Sequence, residues 1–211
     1  MFQLEKLHCT IDDYEYFDGI SYTFSGGTLH TVSGHSGSGK SLFFSILAGV
    51  KSPNSGDIFF KEKSIFNSSF RTLQDLRKKF GIVFQLPALI SNLSLRDNLK
   101  LTLRSEAEVL AIARDFQLEP YLNLRPSAIS QGQLYRFALC RALLPNPEIL
   151  LWDEPMINID EFFHPLVDQK IAQLKARGST IIFFTNRKTI VEKYGENRLI
   201  LQARKLDRYE F

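Results

Sequence analysis

The 211-residue chain carries 26 basic and 23 acidic side chains, a formal charge of +3, with 44% apolar and 23% charged residues. That balance fits one folded domain with room for a subdomain, and it is too weakly basic to point to nucleic acid. No run approaches the ~20 apolar residues of a membrane span, and residues 1–6 lack the apolar centre of a signal peptide, so the expected setting is cytoplasmic. Cys9 and Cys140 lie far apart with no histidines at metal-ligand spacing, and the expectation is two packed, reduced thiols.

Alternation at Phe2, Leu4, Leu7 and Cys9, and again at Ile20, Tyr22 and Phe24, predicts two half-buried strands. Asp12-Asp13 and Ser25-Gly26-Gly27 mark turns around them, giving an antiparallel β-layer. Residues 28–33 read as a strand, and residues 41–50 as a helix burying Leu42, Phe43, Ile46 and Leu47. A turn over 53–56 leads to a short strand at 57–60. Residues 66–79 read as irregular, then basic at Arg71, Arg77, Lys78 and Lys79, a solvated face. Residues 80–84 form a buried strand ending at Gln85. From 86 to 122 the pattern turns helical: Leu95, Leu99 and Leu103 suit one helix and residues 106–116 another. Residues 130–144 predict a strong helix, broken by Pro145-Asn146-Pro147. Residues 149–152 are a fully apolar strand, 161–177 a helix, and 180–184 another buried strand. Strand, helix, strand in this order argues a parallel sheet with covered faces.

Between the strand at 28–33 and the following helix lies Gly34-His35-Ser36-Gly37-Ser38-Gly39-Lys40-Ser41, which satisfies G-x-x-x-x-G-K-[ST] at every fixed position. Glycines let successive N–H groups turn inward, and the helix adds its positive N-terminus, so the stretch is built to hold phosphate. Lys40 reaches the β- and γ-phosphates in such a loop, and the Ser41 hydroxyl sits on Mg²⁺. Asp153 ends an apolar strand at the edge where parallel sheets bind ligands, which suits a Mg²⁺ ligand. Glu154 beside it suits a general base for an attacking water. The expected fold is α/β: a P-loop NTPase core of mostly parallel sheet, an N-terminal antiparallel β-layer and an inserted helical subdomain. Residues 1–85 and 145–211 make the core and layer of a single nucleotide-binding domain, 1–211, and 86–144 the helical part.

Ile129-Ser130-Gln131-Gly132-Gln133-Leu134-Tyr135-Arg136 is similar to the Leu-Ser-Gly-Gly-Gln signature of ABC transporter nucleotide-binding subunits. Arg141-Ala142-Leu143-Leu144 follows as in such domains, and the resemblance covers nearly the whole chain. It implies ATP and Mg²⁺ as cofactors, with His35, Ser36, Gly37, Ser38, Gly39 and Leu42 sharing the phosphate loop's work. It implies a head-to-tail homodimer or heterodimer in which Ser130, Gly132 and Gln133 close over ATP bound to the other subunit. Asp160 matches a dimer-contact aspartate, and Gln85 the glutamine that links Mg²⁺ and the attacking water to the helical part. An aromatic of the β-layer stacks on adenine in the family; counting back lands on Ile11, so Tyr14 or Tyr16 takes that role with a shifted turn.

A membrane permease is expected in a groove near Gln85–Leu95, at the cytoplasmic face of the inner membrane, with no nucleic acid partner. Two positions depart from the family: Gln131 replaces the first signature glycine, and Asn186 stands where the switch histidine belongs. An amide cannot carry a proton or charge, so hydrolysis is expected to be slowed while ATP binding survives. The passage from Leu76 to Asn98 is similar to ATPases of MCE-type lipid transporters, and shares much with lipoprotein-releasing ATPases. The alternatives are a haem-exporter-type ATPase, or a degenerate ATP-binding regulatory subunit with little turnover.

Overall fold

A computed structural model describes residues 1–209. Phe2–Ile11 (β1) and Tyr14–Phe24 (β2) pair antiparallel across Asp12 and Asp13, both at positive φ, 48° and 62°. That pair of left-handed residues is what a tight two-residue hairpin requires. Ser55–Phe60 (β4) pairs with the other edge of β1, and Lys63–Ser64 (β5) pairs with β4, completing a four-stranded antiparallel sheet.

The second sheet holds Leu29–Ser33 (β3), Phe80–Val83 (β6), Ile149–Asp153 (β7), Thr180–Phe184 (β8), Asn197–Gln202 (β9) and Lys205–Arg208 (β10). Its order is β10-β9-β3-β8-β7-β6, all parallel except the β9–β10 hairpin. Side chains of a strand alternate between faces, and this sheet uses both. Ile149, Leu151, Ile182 and Phe184 face the β-layer and the helix Lys40–Leu47 (α1). Leu150, Trp152, Ile181 and Phe183 face the opposite core. That second core is closed by Leu95–Lys100 (α3), Glu106–Asp115 (α4), Gln131–Leu143 (α5) and His164–Ala176 (α6). Nine of the twelve largest fully buried side chains are phenylalanines, and Phe2, Phe17, Phe24, Phe43 and Phe44 all sit on the β-layer side.

Several local expectations change. Phe44 is buried in α1 and Leu42 only half so, because the helix turns its 43–44 face to the sheet. Residues 66–79 are not irregular: Phe70–Arg77 (α2) forms there, with the Ser69 hydroxyl accepting the Thr72 N–H at 3.3 Å. Only Leu73 and Leu76 anchor it, and Arg71, Arg77, Lys78 and Lys79 stay exposed as expected. Leu103 does not join α3; it lies beyond the helix end at φ 58° and is 80% exposed. The 161–177 helix begins as a 3-10 turn, Glu161–Phe163, before α6 proper. Lys188–Tyr194 (α7) and the β9–β10 hairpin were not anticipated. Both cysteines are free and buried.

Candidate functional site

A parallel sheet brings the C-terminal ends of its strands to one edge, where ligands bind. Four adjacent strands here end in candidate residues. The phosphate loop follows β3, Thr185 and Asn186 follow β8, Asp153 and Glu154 end β7, and Gln85 follows β6. Residues spread over 150 positions of sequence thus reach one rim because of strand order alone.

The loop itself curls through Gly37 at φ 81° and Gly39 at φ 92°, the latter capping α1. Gly39 is required twice over. Its φ is left-handed, and a Cβ there would lie 3.0 Å from Phe17 Cε1 and 3.1 Å from Tyr16 Cδ1. The Ser38 N–H bonds the His35 carbonyl at 3.1 Å and the Phe43 N–H bonds that of Gly39 at 2.8 Å, so the loop passes directly into the helix. The Lys40 ammonium folds back, donating to the Gly34 carbonyl and to the His35 carbonyl at 3.2 Å. Burial pulls its pKa down, and the nearby charges of Glu154 and Asp153 pull it back up.

A cleft of about 500 Å³ opens beside the loop, lined by Ser36, Gly37, Gly39, Lys40, Ser41, Leu42, Ser45 and Lys51, with Ile11 and Tyr16 as its apolar wall. Both Ile11 and Tyr16 therefore reach the cleft. Tyr14 stands outside its lining, 55% exposed and edge-on to Tyr16 at 4.8 Å. Ser45 and Lys51 escaped the sequence reading. Ser45 lies one turn beyond Ser41 on the same helix face, a spacing that was available.

Across the rim, the Asp153 carboxyl is pushed up to about 6, first by burial and then by the Glu154 charge, with Lys40 opposing both. Glu154 sits at φ 50°, a left-handed conformation rare outside glycine, fixed by its N–H on the Phe184 carbonyl at 2.9 Å. Its carboxylate accepts the Thr185 hydroxyl at 2.9 Å. Thr185 is fully buried, and its oxygen also accepts the Arg187 N–H at 3.1 Å. Asn186 turns the other way: its Oδ1 accepts the Gly34 N–H at 3.0 Å, so it grips the phosphate loop.

Gln85 is exposed, and its backbone carbonyl accepts the Tyr135 hydroxyl from α5. Arg141 on the same helix donates to the Ala88 carbonyl at 2.5 Å. Fully buried Asn98 binds both the N–H and the carbonyl of Ile90, at 2.8 and 3.0 Å. The segment after Gln85 is thereby fixed while Leu86 and Ile90 remain 77% and 44% exposed.

The signature stretch lies elsewhere. Ser130 caps α5 in a reciprocal box: its hydroxyl accepts the Gln133 N–H at 3.3 Å, and Gln133 Oε1 accepts the Ser130 N–H at 2.8 Å. The Gln133 side chain thus takes part in its own helix cap. Gly132 faces open space, with only the Asn158 carbonyl 3.9 Å from a Cβ placed there, and Gln131 is exposed beside it. Asp160 is exposed and precedes the 3-10 turn. Among the described residues, neither this stretch nor Asp160 lines the cleft. The sequence-read site falls into two parts within one chain.

A family model described as "ABC transporter" matches residues 17–157. The Fe(3+) ions import ATP-binding protein FbpC of Haemophilus influenzae is 30% identical over 212 residues, 96% of this chain but only 60% of that protein. The lipoprotein-releasing system ATP-binding protein LolD of Buchnera aphidicola is 28% identical over 190 residues, 85% of this chain and 83% of its own. A bacterial ABC transporter cassette solved as a dimer superimposes with a TM-score of 0.82 at 26% identity, each chain covered in full.

Proposed function

The chain belongs to the ABC transporter family, and we propose that it is the subunit that binds and hydrolyses ATP to drive a membrane transporter. One observation carries this: the phosphate loop, Lys40 and the Asp153–Glu154 pair meet on one rim beside a cleft with an apolar wall. Gly34 to Leu42 hold the phosphates, and Tyr16 with Ile11 receives the adenine. A Mg²⁺ ion fits the residues present. Ser41, Asp153 and Gln85 offer oxygen donors, which hard cations take, and Asp153, raised first by burial and then by the Glu154 charge, is a carboxylate that a cation would favour in its charged form. When bound, the ion would offset charge on the β- and γ-phosphates. Glu154 takes the proton of the attacking water, and the Thr185 hydroxyl holds its carboxylate in place.

Because Ser130, Gly132 and Asp160 stand apart from the cleft of their own chain, a second copy supplies them, head to tail. A related cassette solved as a dimer supports the pairing of two copies. The segment from Gln85 to Leu95, with Leu86 and Ile90 exposed, is the docking groove for a permease at the cytoplasmic face of the membrane. No helix among the described residues is long and apolar enough to cross a membrane. Turnover is slow, since Asn186 has no imidazole to offer. We place the cargo in the lipid or lipoprotein class on the Leu76–Asn98 passage; the lipoprotein-releasing relative supports this, and the iron-importing one does not.

Glu154→Gln is expected to bind ATP and accumulate as a dimer by light scattering. A monomer at saturating ATP refutes the composite site. ATP turnover measured beside ATP affinity separates the motor from a regulatory subunit, the reading that Gln131 and Asn186 favour: tight binding with no turnover in the presence of the permease selects the latter.

A further inference from the structure

We infer that Asn186 is a clip on the phosphate loop, a positioning residue that serves every nucleotide the loop holds, ADP as much as ATP. The inference rests on the nucleotide site proposed above. A backbone N–H can only donate, so the Gly34 N–H at 3.0 Å fixes the Asn186 carboxamide with its oxygen toward the loop. Gly34 is the residue at which the loop leaves β3, and it is confined on its other sides as well. A Cβ there would lie 2.6 Å from both the Leu201 carbonyl and Ser38 Oγ, and its own carbonyl accepts Lys40. Asn186 takes the N–H of Gly34 and Lys40 its carbonyl, so the two bonds use different atoms and do not compete.

The neighbour completes the logic. Thr185 grips Glu154 and Asn186 grips Gly34, so two consecutive residues at the end of β8 set the catalytic carboxylate and the phosphate loop relative to each other. An amide does this without changing charge over the physiological range. A residue whose task is to sense the γ-phosphate would matter for ATP alone. A clip on Gly34 acts on the loop that holds the α- and β-phosphates too.

The test compares wild type with Asn186→Ala and Asn186→His. The neutral imidazole's Nδ1 is bonded to Cγ as Oδ1 is in asparagine, so histidine at pH 8 retains an acceptor. Asn186→Ala is expected to weaken binding of a fluorescent ADP about three- to tenfold, the loss of one hydrogen bond, with Asn186→His close to wild type. In the protein without nucleotide, the Gly34 amide of Asn186→Ala should exchange with deuterium faster by a similar factor while the Tm falls by no more than the few degrees that one hydrogen bond is worth. If Asn186→Ala leaves ADP affinity and Gly34 exchange unchanged and weakens only ATP, the clip is overturned and Asn186 is a γ-phosphate ligand. If wild type binds neither nucleotide, the nucleotide site itself is wrong, and the exchange measurement still decides the clip.

Discussion

His30 gives the sharpest test of how this structure is held together. It lies on β3, the strand that feeds the phosphate loop, and is fully buried, edge-on to Phe24 at 5.0 Å and Tyr22 at 6.0 Å. The Thr28 hydroxyl donates to the Ser25 carbonyl at 3.0 Å, so His30 Nε2, 3.0 Å from that hydroxyl oxygen, carries the ring proton. Nδ1 is then a bare nitrogen with no partner. Protonating it would place a charged N–H in a site with nothing to receive it. Burial accordingly pulls the pKa from 6.5 to about 4; the Ser25 carbonyl and Glu196 oppose the drop, and Arg208 adds to it.

The sign follows directly. The unfolded chain binds this proton near pH 6.5 and the folded one only near 4, so stability is intact above pH 6.5 and is lost as pH falls towards 4. The full difference is about 3 kcal/mol, of which about 2 kcal/mol is gone by pH 5. For a domain of this size that is about 4–8 °C in Tm. The assay is urea unfolding of wild type and His30→Gln at pH 7 and pH 5, taking the difference of differences to cancel other titrating groups. Glutamine keeps a donor for Thr28 and does not ionise. The wild type is expected to lose about 2 kcal/mol more than the variant. Equal losses to within about 0.5 kcal/mol would refute the buried neutral imidazole.

Gly39→Ala adds both a left-handed φ and a Cβ against Phe17 and Tyr16, whereas Gly37→Ala, at φ 81° with nothing within 4 Å, adds only backbone strain. Gly37→Ala should cost about 1 kcal/mol and Gly39→Ala clearly more, with a correspondingly larger loss of ATP affinity in a fluorescence titration; equal effects would remove the ring contact from the argument. Tyr135→Phe deletes the hydroxyl bound to the Gln85 carbonyl. It should change overall stability by about 1 kcal/mol or less while raising amide exchange at residues 86–88, and unchanged exchange there would show that α5 does not hold this segment.

What the sequence made legible was whatever depends on local chemistry. The loop from Gly34 to Ser41 could be read because its glycines stand where φ must be positive, at Gly37 and Gly39. Asp153 could be placed because an apolar run buried on both faces announces a central parallel strand. The helix Phe70–Arg77 escaped because only Leu73 and Leu76 mark its inner face. The β9–β10 hairpin escaped for a different reason. Leu199 and Leu201 alternate inward as strand residues should, but the turn uses Ala203 and Arg204 at φ 44° and 66°, not the asparagine and glycine that advertise such turns. Long-range contacts hold it instead: the Arg204 carbonyl takes the Asp18 N–H at 3.1 Å, Arg204 pairs with Glu15 at 2.7 Å, and Lys205 with Asp18 at 3.0 Å. The bonds from Asn186 to Gly34 and from Tyr135 to Gln85 join residues 152 and 50 positions apart, and no spacing rule finds them.

The same division governs the chemistry of the rim. Asp153 and Glu154 are neighbours in sequence, yet their environments pull them apart. Asp153 continues β7 and stays half-buried, where desolvation and the adjacent charge keep its carboxyl up near 6. Glu154 is swung out of the strand by its positive φ and receives a hydroxyl from Thr185. Two adjacent carboxylates with different partners can divide two tasks, one meeting a cation and the other a proton. Strain at Glu154 is the means of that division. An extended backbone at 154 would send the second carboxylate to the opposite face of the sheet from Asp153, away from the phosphate loop. Its left-handed turn is held by the Phe184 carbonyl, one residue before Thr185, so the end of β8 sets both the backbone and the side chain of Glu154, and through Asn186 the loop opposite.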